Sequence, residues 1–128
     1  MNPEDIRYHK KHTWVSLSGK KATIGITDYA QDALGDIVYL DLPEVDSEVE
    51  ANTEMSEIES TKATSPVIAP VSGTVVSVNE ELEDAPEVIN EDPYGKGWIA
   101  VVEISDESEL DDLMDLPEYE KFIEEEEG

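Results

Sequence analysis

Apolar residues in this chain come in short runs, each cut off by a turn residue, and that interruption limits the folds open to it. Residues 14–17 and 22–26 are β-prone runs separated by Ser18-Gly19-Lys20-Lys21, the composition of a hairpin loop. Residues 37–42 form an apolar run rich in β-branched side chains, stopped by Pro43. Further runs follow at 53–59, 67–69, 71–78 and 98–104, with Gly73 marking a bulge or a close backbone approach. Helical signals are few. Thr27 has the chemistry of an N-cap, with Tyr29, Ala30, Ala33 and Leu34 at helical spacing and Gly35 as the stop. Leu110, Leu113 and Met114 mark a short helix begun by Ser105 or Asp106. Pro117 opens another, with Tyr119, Phe122 and Ile123 as its apolar face and a frayed, solvated end at 124–127. Residues 79–94 are polar, carry Pro86 and Pro93, and are expected to wrap the surface. The pattern predicts a mostly β protein: a small β-sandwich or flattened barrel with a short helix near the N-terminal half and C-terminal helices. At 128 residues it fits one domain, 1–128, with 105–128 as an acidic helical segment.

The spacing contains an echo. Val45-Asp46-Ser47-Glu48-Val49 and Val78-Asn79-Glu80-Glu81-Leu82 share a pattern, and their midpoint lies near residue 63. Two such units about a central hairpin suggest a pseudo-twofold sandwich.

Acids number 33 against 8 basic residues, a formal net charge of -25. Residues 1–104 alone hold 21 acids and 7 basic residues, a net of -14, so the excess belongs to the body of the chain as well as to its end. This excludes nucleic-acid binding by phosphate neutralisation and argues against docking on an anionic membrane. Few lysines and many carboxylates suit a halophilic, very salty cytoplasm, because roughly molar salt shortens the Debye length to about 3 Å. The other reading is an acidic carrier that docks on basic enzymes. No run approaches the ~18 apolar residues of a membrane span. The first twelve residues lack the apolar stretch of a secretory leader. Cysteine is absent, which excludes disulfides, thiolate catalysis and Cys-ligated zinc.

Lys62 is the only lysine or arginine between Lys21 and Lys96. It sits in Glu59-Ser60-Thr61-Lys62-Ala63-Thr64-Ser65, the composition of an exposed hairpin tip between two short strands. A lysine on a rigid turn suits covalent attachment of a swinging cofactor, since amide formation removes its charge and leaves a long mobile arm. An ordinary solvated lysine has the same local composition.

The motifs around it go further. His12-Thr13-Trp14, Gly25-Ile26-Thr27-Asp28-Tyr29-Ala30-Gln31, the run from Leu34 to Pro43, Glu59-Ser60-Thr61-Lys62-Ala63, Ala69-Pro70-Val71-Ser72-Gly73 and the run from Asn90 to Trp98 occur in this order. Together they resemble the H-protein family of the glycine cleavage system, over residues 8–104. The resemblance implies a carrier with lipoate in amide linkage to Lys62, with no catalytic residue or metal of its own. It implies that the arm takes the aminomethyl group of glycine from glycine decarboxylase to an aminomethyltransferase and is reoxidised by dihydrolipoamide dehydrogenase. A lipoate-attaching enzyme is a further partner. Glu59, Ser60 and Ala63 are expected to present Lys62 to it. A cytoplasmic monomer is expected.

The chain departs from the family pattern in places. Thr13 stands where an acid is common between the His and the Trp, and Pro66 where an acid commonly follows the Ser. Both acids would help hold a cationic aminomethyl end. Asp46, Asn52 and Ser56 replace common glycines, and Asp and Asn tolerate left-handed turns.

Other readings differ in class. A biotin carrier would bracket the lysine with methionines, whereas Thr61 and Ala63 flank Lys62. A lipoate relay protein would pass its lipoyl group to other enzymes. An unmodified acidic adaptor would carry no lipoyl group at all. His9 and His12 beside acids resemble a metal pair, but His12 is better read as a packing or hydrogen-bonding residue next to Trp14. Trp14, Trp98, Tyr39 and Phe122 are expected in the core or under a docked helix.

Overall fold

The six-residue strands β2 (Thr13–Ser18) and β3 (Lys21–Ile26) turn on Gly19 and Lys20, and Gly19 takes the positive φ of 63° that the turn needs. The computed structural model describes residues 6–127; the first five positions of the leader reading lie outside the described residues. Among the described residues, nine strands form two antiparallel sheets that do not close into a barrel. The larger sheet has the order β1-β2-β3-β9-β8-β5, adding β1 (Arg7–Tyr8), β5 (Glu48–Val49), β8 (Gly73–Val78) and β9 (Ala100–Ile104). The smaller has the order β4-β6-β7, from β4 (Ile37–Asp41), β6 (Glu54–Ser60) and β7 (Thr64–Ile68). The fold is therefore the sandwich of the two expected forms.

Side chains from both sheets fill the main core, among them Ile24, Ile26, Ile37, Leu40, Ile58, Val67, Val75 and Val102. Helix α1 (Asp28–Leu34) lies between the sheets in chain order and is capped as its sequence dictates. Thr27 Oγ1 accepts from the Ala30 N–H, and the Gly35 N–H closes onto the Gln31 carbonyl. A second cluster of Ile6, Tyr8, Trp14 and Tyr119 anchors the C-terminal helix α4 (Leu116–Glu127), with Trp98, Phe122 and Ile123 packed against it. Tyr8 and Tyr119 stack with ring centroids 4.6 Å apart. Trp14 lies across Gly25, its partner in the β2–β3 register, where any Cβ would sit 2.7 Å from the indole.

Three expectations change. Residues 79–94 do not simply wrap the surface: they form α2 (Glu81–Asp84) and α3 (Val88–Glu91). These helices send Leu82 and Ile89 into the main core, each burial stabilising by roughly 1.5–3 kcal/mol. The echo does not make equivalent elements, because Val49 lies in a strand and Leu82 in a helix, while Val45 is exposed. Tyr39 is outside the core, 52% exposed, because a register shift between Ile37 and Tyr39 turns it outward. Helix α4 takes in the 124–127 segment, and Glu124 and Glu125 are exposed as expected. Other details hold. Gly73 is a close approach, since a Cβ there would collide with the Glu103 carbonyl oxygen. Asp46 and Asn52 take φ of 74° and 70°. A 3-10 helix (Glu107–Asp112) begins at Asp106, whose carboxylate accepts from the Ser108 N–H.

Candidate functional site

Lys62 is the middle of the three residues, Thr61, Lys62 and Ala63, that join β6 to β7. Strand pairing runs up to Glu59 opposite Thr64, and the Ser60 N–H donates to the Ala63 carbonyl at 2.8 Å. The hydroxyl oxygen of Ser60 then accepts from the N–H groups of Lys62 at 3.2 Å and Ala63 at 3.1 Å. One side chain thereby gathers the polar backbone of the turn, the use for which Ser is favoured there. Thr61, Lys62 and Ala63 are all exposed. The tip is narrower than the segment 59–65, since Glu59 and Ser60 still belong to β6 and Thr64 and Ser65 to β7.

The turn rests on the end of α1. The Thr61 N–H donates to the Asp36 carbonyl at 3.0 Å. The aliphatic stem of Lys62 passes Gly35 so closely that a Cβ there would lie 3.2 Å from Cε and 3.4 Å from Cδ. Gly35 has φ 80° and ψ -154°, a conformation essentially reserved for glycine. Asn90, from α3, secures this corner: its amide donates to the carbonyl of Gly35 at 2.8 Å, and its Oδ1 accepts from the Ile37 N–H at 3.0 Å. The result is a primary amine on an extended stem, displayed on a braced turn. That arrangement fits acylation by an outside enzyme and an arm that swings freely afterwards.

A cavity of about 140 Å³ lies beside α1, between the loop before β2 and strand β7. His12, Thr13, Tyr29, Ser65 and Pro66 help to line it. The two departures at Thr13 and Pro66 therefore face one cavity, and its described wall holds no carboxylate. The Thr13 hydroxyl is spent on the carbonyl of Ile68 at 2.9 Å. His12 bonds through Nδ1 to the Tyr119 hydroxyl at 2.7 Å, and that hydroxyl also meets Thr27 Oγ1 at 2.7 Å. His9 is buried elsewhere. Its Nδ1 accepts from the Lys11 N–H, so Nε2 carries the proton given to Asn52 Oδ1 at 2.6 Å. Burial, followed by the cations of Lys10 and Lys11, pushes its pKa below the ordinary value of 6.5, against the Asn52 bond that raises it. Each histidine thus has a structural partner.

Comparison with known proteins places this geometry. The family model "Glycine cleavage H-protein" matches residues 6–126. The chain belongs to the glycine cleavage H-protein family. It is 52% identical over 124 residues to the glycine cleavage system H protein of Carboxydothermus hydrogenoformans, covering 97% of this chain and 95% of that protein. With the H protein of Bacillus subtilis it is 50% identical over 123 residues, covering 96% and 97%. The crystal structure of a glycine cleavage system H protein from Mycobacterium marinum superposes with a TM-score of 0.86 at 37% identity, covering 94% of this chain and 97% of that one. H proteins are carrier components of the glycine cleavage system and not themselves catalytic.

Within this H-protein fold, the sequence pointed to the turn but missed its supports. Asn90 lay in a recognised motif without a role, and Gly35 was read only as a helix stop. The signal was present in both: an Asn outside regular strands and a Gly two positions before a strand. Glu59 is exposed on β6 opposite Tyr39 of β4.

Proposed function

We propose that this chain is the lipoyl carrier of a glycine cleavage system, with lipoate in amide linkage to the Nζ of Lys62. The observation that carries the reading is the exposed Lys62 on its braced turn within a family-typical fold. When attached, lipoate supplies a disulfide that accepts the aminomethyl group and is later restored by oxidation. The chain's own part is mechanical. Ser60 fixes the turn, Gly35 leaves room for the lysine stem, and Ala63 keeps the tip small. Glu59 presents an acid three residues before the lysine to the lipoate-attaching enzyme.

Glycine decarboxylase, the aminomethyltransferase and dihydrolipoamide dehydrogenase are the enzymes the arm visits in turn. The cavity beside α1 is the place where the loaded arm would shelter from water. In this chain it would hold the arm by shape and polar contacts and not by charge attraction, since Thr13 and Pro66 supply no acid and Lys11 adds a cation to the wall. We read residues 1–128 as one monomeric carrier domain of the cytoplasm, with the acidic segment 105–128 built into it through Tyr119.

Intact mass and peptide mapping after incubation with a lipoate-attaching enzyme test the assignment. Wild-type protein gains one lipoyl group on the peptide containing Lys62, and Lys62→Arg gains none. Glycine–bicarbonate exchange with the partner enzymes then separates a cleavage carrier from a lipoate relay. Lipoylation of Lys62→Arg at another lysine, with exchange retained, would overturn the proposal. For the presenting role, Glu59→Ala should slow lipoylation without unfolding the chain; an unchanged rate would mean that hairpin shape alone is read.

A further inference from the structure

The outer face of the small sheet is charged in a way that folding alone does not favour. Strand β4 is at the sheet's edge. In its register with β6, Tyr39 is opposite Glu59 and Asp41 is opposite Glu57. Directly paired residues share a face, so these four side chains form one exposed patch, with the buried pair Leu40 and Ile58 pointing the other way. Asp41 and Glu57 are like charges placed directly across the ladder, an arrangement that is destabilising. Strands β4, β6 and β7 contain no lysine or arginine that would relieve them.

The same strand displays two large apolar groups. The irregularity between Ile37 and Tyr39 leaves Val38 without a cross-strand partner, and both Val38 and Tyr39 face solvent at 54% and 52% exposure. Bulges re-aim side chains in this way and are over-represented beside functional sites. Here the bulge lies one strand away from the end of β6, where Ile37 pairs with Ser60 and the chain runs on to Lys62.

We propose that Val38 and Tyr39, rimmed by Asp41, Glu57 and Glu59, are the docking surface for the enzyme that acylates Lys62. This rests on the lipoyl reading of Lys62. The occupant must offer an apolar recess bordered by lysine or arginine, because three carboxylates surround the tyrosine and the facing charges are unrelieved in the free chain. The acylating enzyme is the partner singled out, since it meets the chain before any arm exists. It must recognise the turn and the surface next to it. The apolar pair supplies contact area that salt does not screen, and the carboxylates supply orientation and encounter rate.

The test uses purified apo-protein, a lipoate-attaching enzyme and time-resolved intact mass. Val38→Ser with Tyr39→Ser lowers kcat/KM by about tenfold, expressed mainly in KM, as expected when two central contacts are truncated. Asp41→Lys with Glu57→Lys lowers it by a similar factor at low salt, and the loss shrinks as potassium chloride is added. Circular dichroism melts accompany both variants; removing the facing acids should leave the fold as stable or more so, so it remains informative if the serine pair unfolds. Rates for folded variants within twofold of wild type would overturn the surface. Failure of the wild-type protein to acquire mass on Lys62 would instead overturn the lipoyl reading. Equal loss with an arm-using partner, but none with the attaching enzyme, would assign the patch elsewhere and reject the occupant proposed.

Discussion

The side-chain amide of Asn90 donates to the carbonyl oxygen of Gly35 at 2.8 Å, tying α3 to the corner on which Lys62 rests. The same side chain accepts from the Ile37 N–H, so one residue satisfies the backbone on both sides of Asp36. Asp36 in turn accepts from the Thr61 N–H of the lysine turn. Asn90→Ala leaves these groups unpaired and should cost about 1–3 kcal/mol. A thermal melt measures the loss. Lipoylation of Lys62 should slow in the same variant at temperatures where it remains folded, because the turn has lost its brace.

Gly35→Ala tests the seat of the lysine stem. Alanine is strained at φ 80° and ψ -154°, at a cost of about 1–3 kcal/mol. Its Cβ would also press on Cε of Lys62 from 3.2 Å. Gly19→Ala is the matched control. Gly19 also has positive φ, but a Cβ there meets nothing within 4 Å. Both variants should melt lower, and only Gly35→Ala should slow acylation of Lys62. Equal rates in the two would show that the stem does not use this seat.

His9 gives the fold an acid-sensitive loop. In the neutral ring Nδ1 accepts from the Lys11 N–H, and protonation would set two donors against each other. Its folded pKa lies below the unfolded value of 6.5, because burial disfavours the charged form. The unfolded chain therefore binds the proton first as pH falls. The stability due to neutral His9 is complete above pH 6.5, declines below it, and is fully lost once the lowered folded pKa is passed. Melts of wild type and His9→Gln from pH 7.5 downward check this: the variant should lack the His9 part of the slope, leaving that of the carboxylates at lower pH.

Salt should raise the melting temperature. The net charge of -25 repels itself, and added potassium chloride screens that repulsion. Association with basic partners should weaken over the same range. A melting temperature flat from low to molar salt would remove the case for salt adaptation and leave partner docking as the reason for the acid.

Local chemistry was the part of the fold most legible in the sequence. Thr27 and Gly35 mark the ends of α1 through side-chain capping and glycine's freedom, and both effects depend on near neighbours alone. Asp46 and Asn52 take left-handed turns for the same kind of reason. Lys62 stands out in the sequence as a lone cation among small polar residues between two strands, but an ordinary solvated lysine has that composition too, and only the surrounding motifs single it out. Tyr39 was misread because a run such as Ile37-Val38-Tyr39-Leu40 looks buried throughout, while its exposure depends on a bulge set by pairing with β6. The role of Asn90 was hidden for a similar reason: its partners Gly35 and Ile37 are 55 and 53 positions away. Leu82 and Ile89 looked like isolated apolar residues in a polar segment, and only the closed core shows that each helix contributes one anchor.

The bond between Tyr119 and His12 spans 107 positions of sequence, and its partner bond to Thr27 spans 92. During synthesis from the N-terminus, the bonds that His12 and Thr27 make to Tyr119 must wait for the last helix to emerge. The β6–β7 hairpin needs only its own neighbours, and short-range pairing forms before long-range closure. A ribosome-bound chain would thus display its lysine turn on an unfinished body, with neither the His12 wall nor the Tyr119 tether in place. A modifying enzyme that reads the hairpin alone would work on such a nascent chain, and one that also grips the corner braced by Asn90 would wait until α3 has docked.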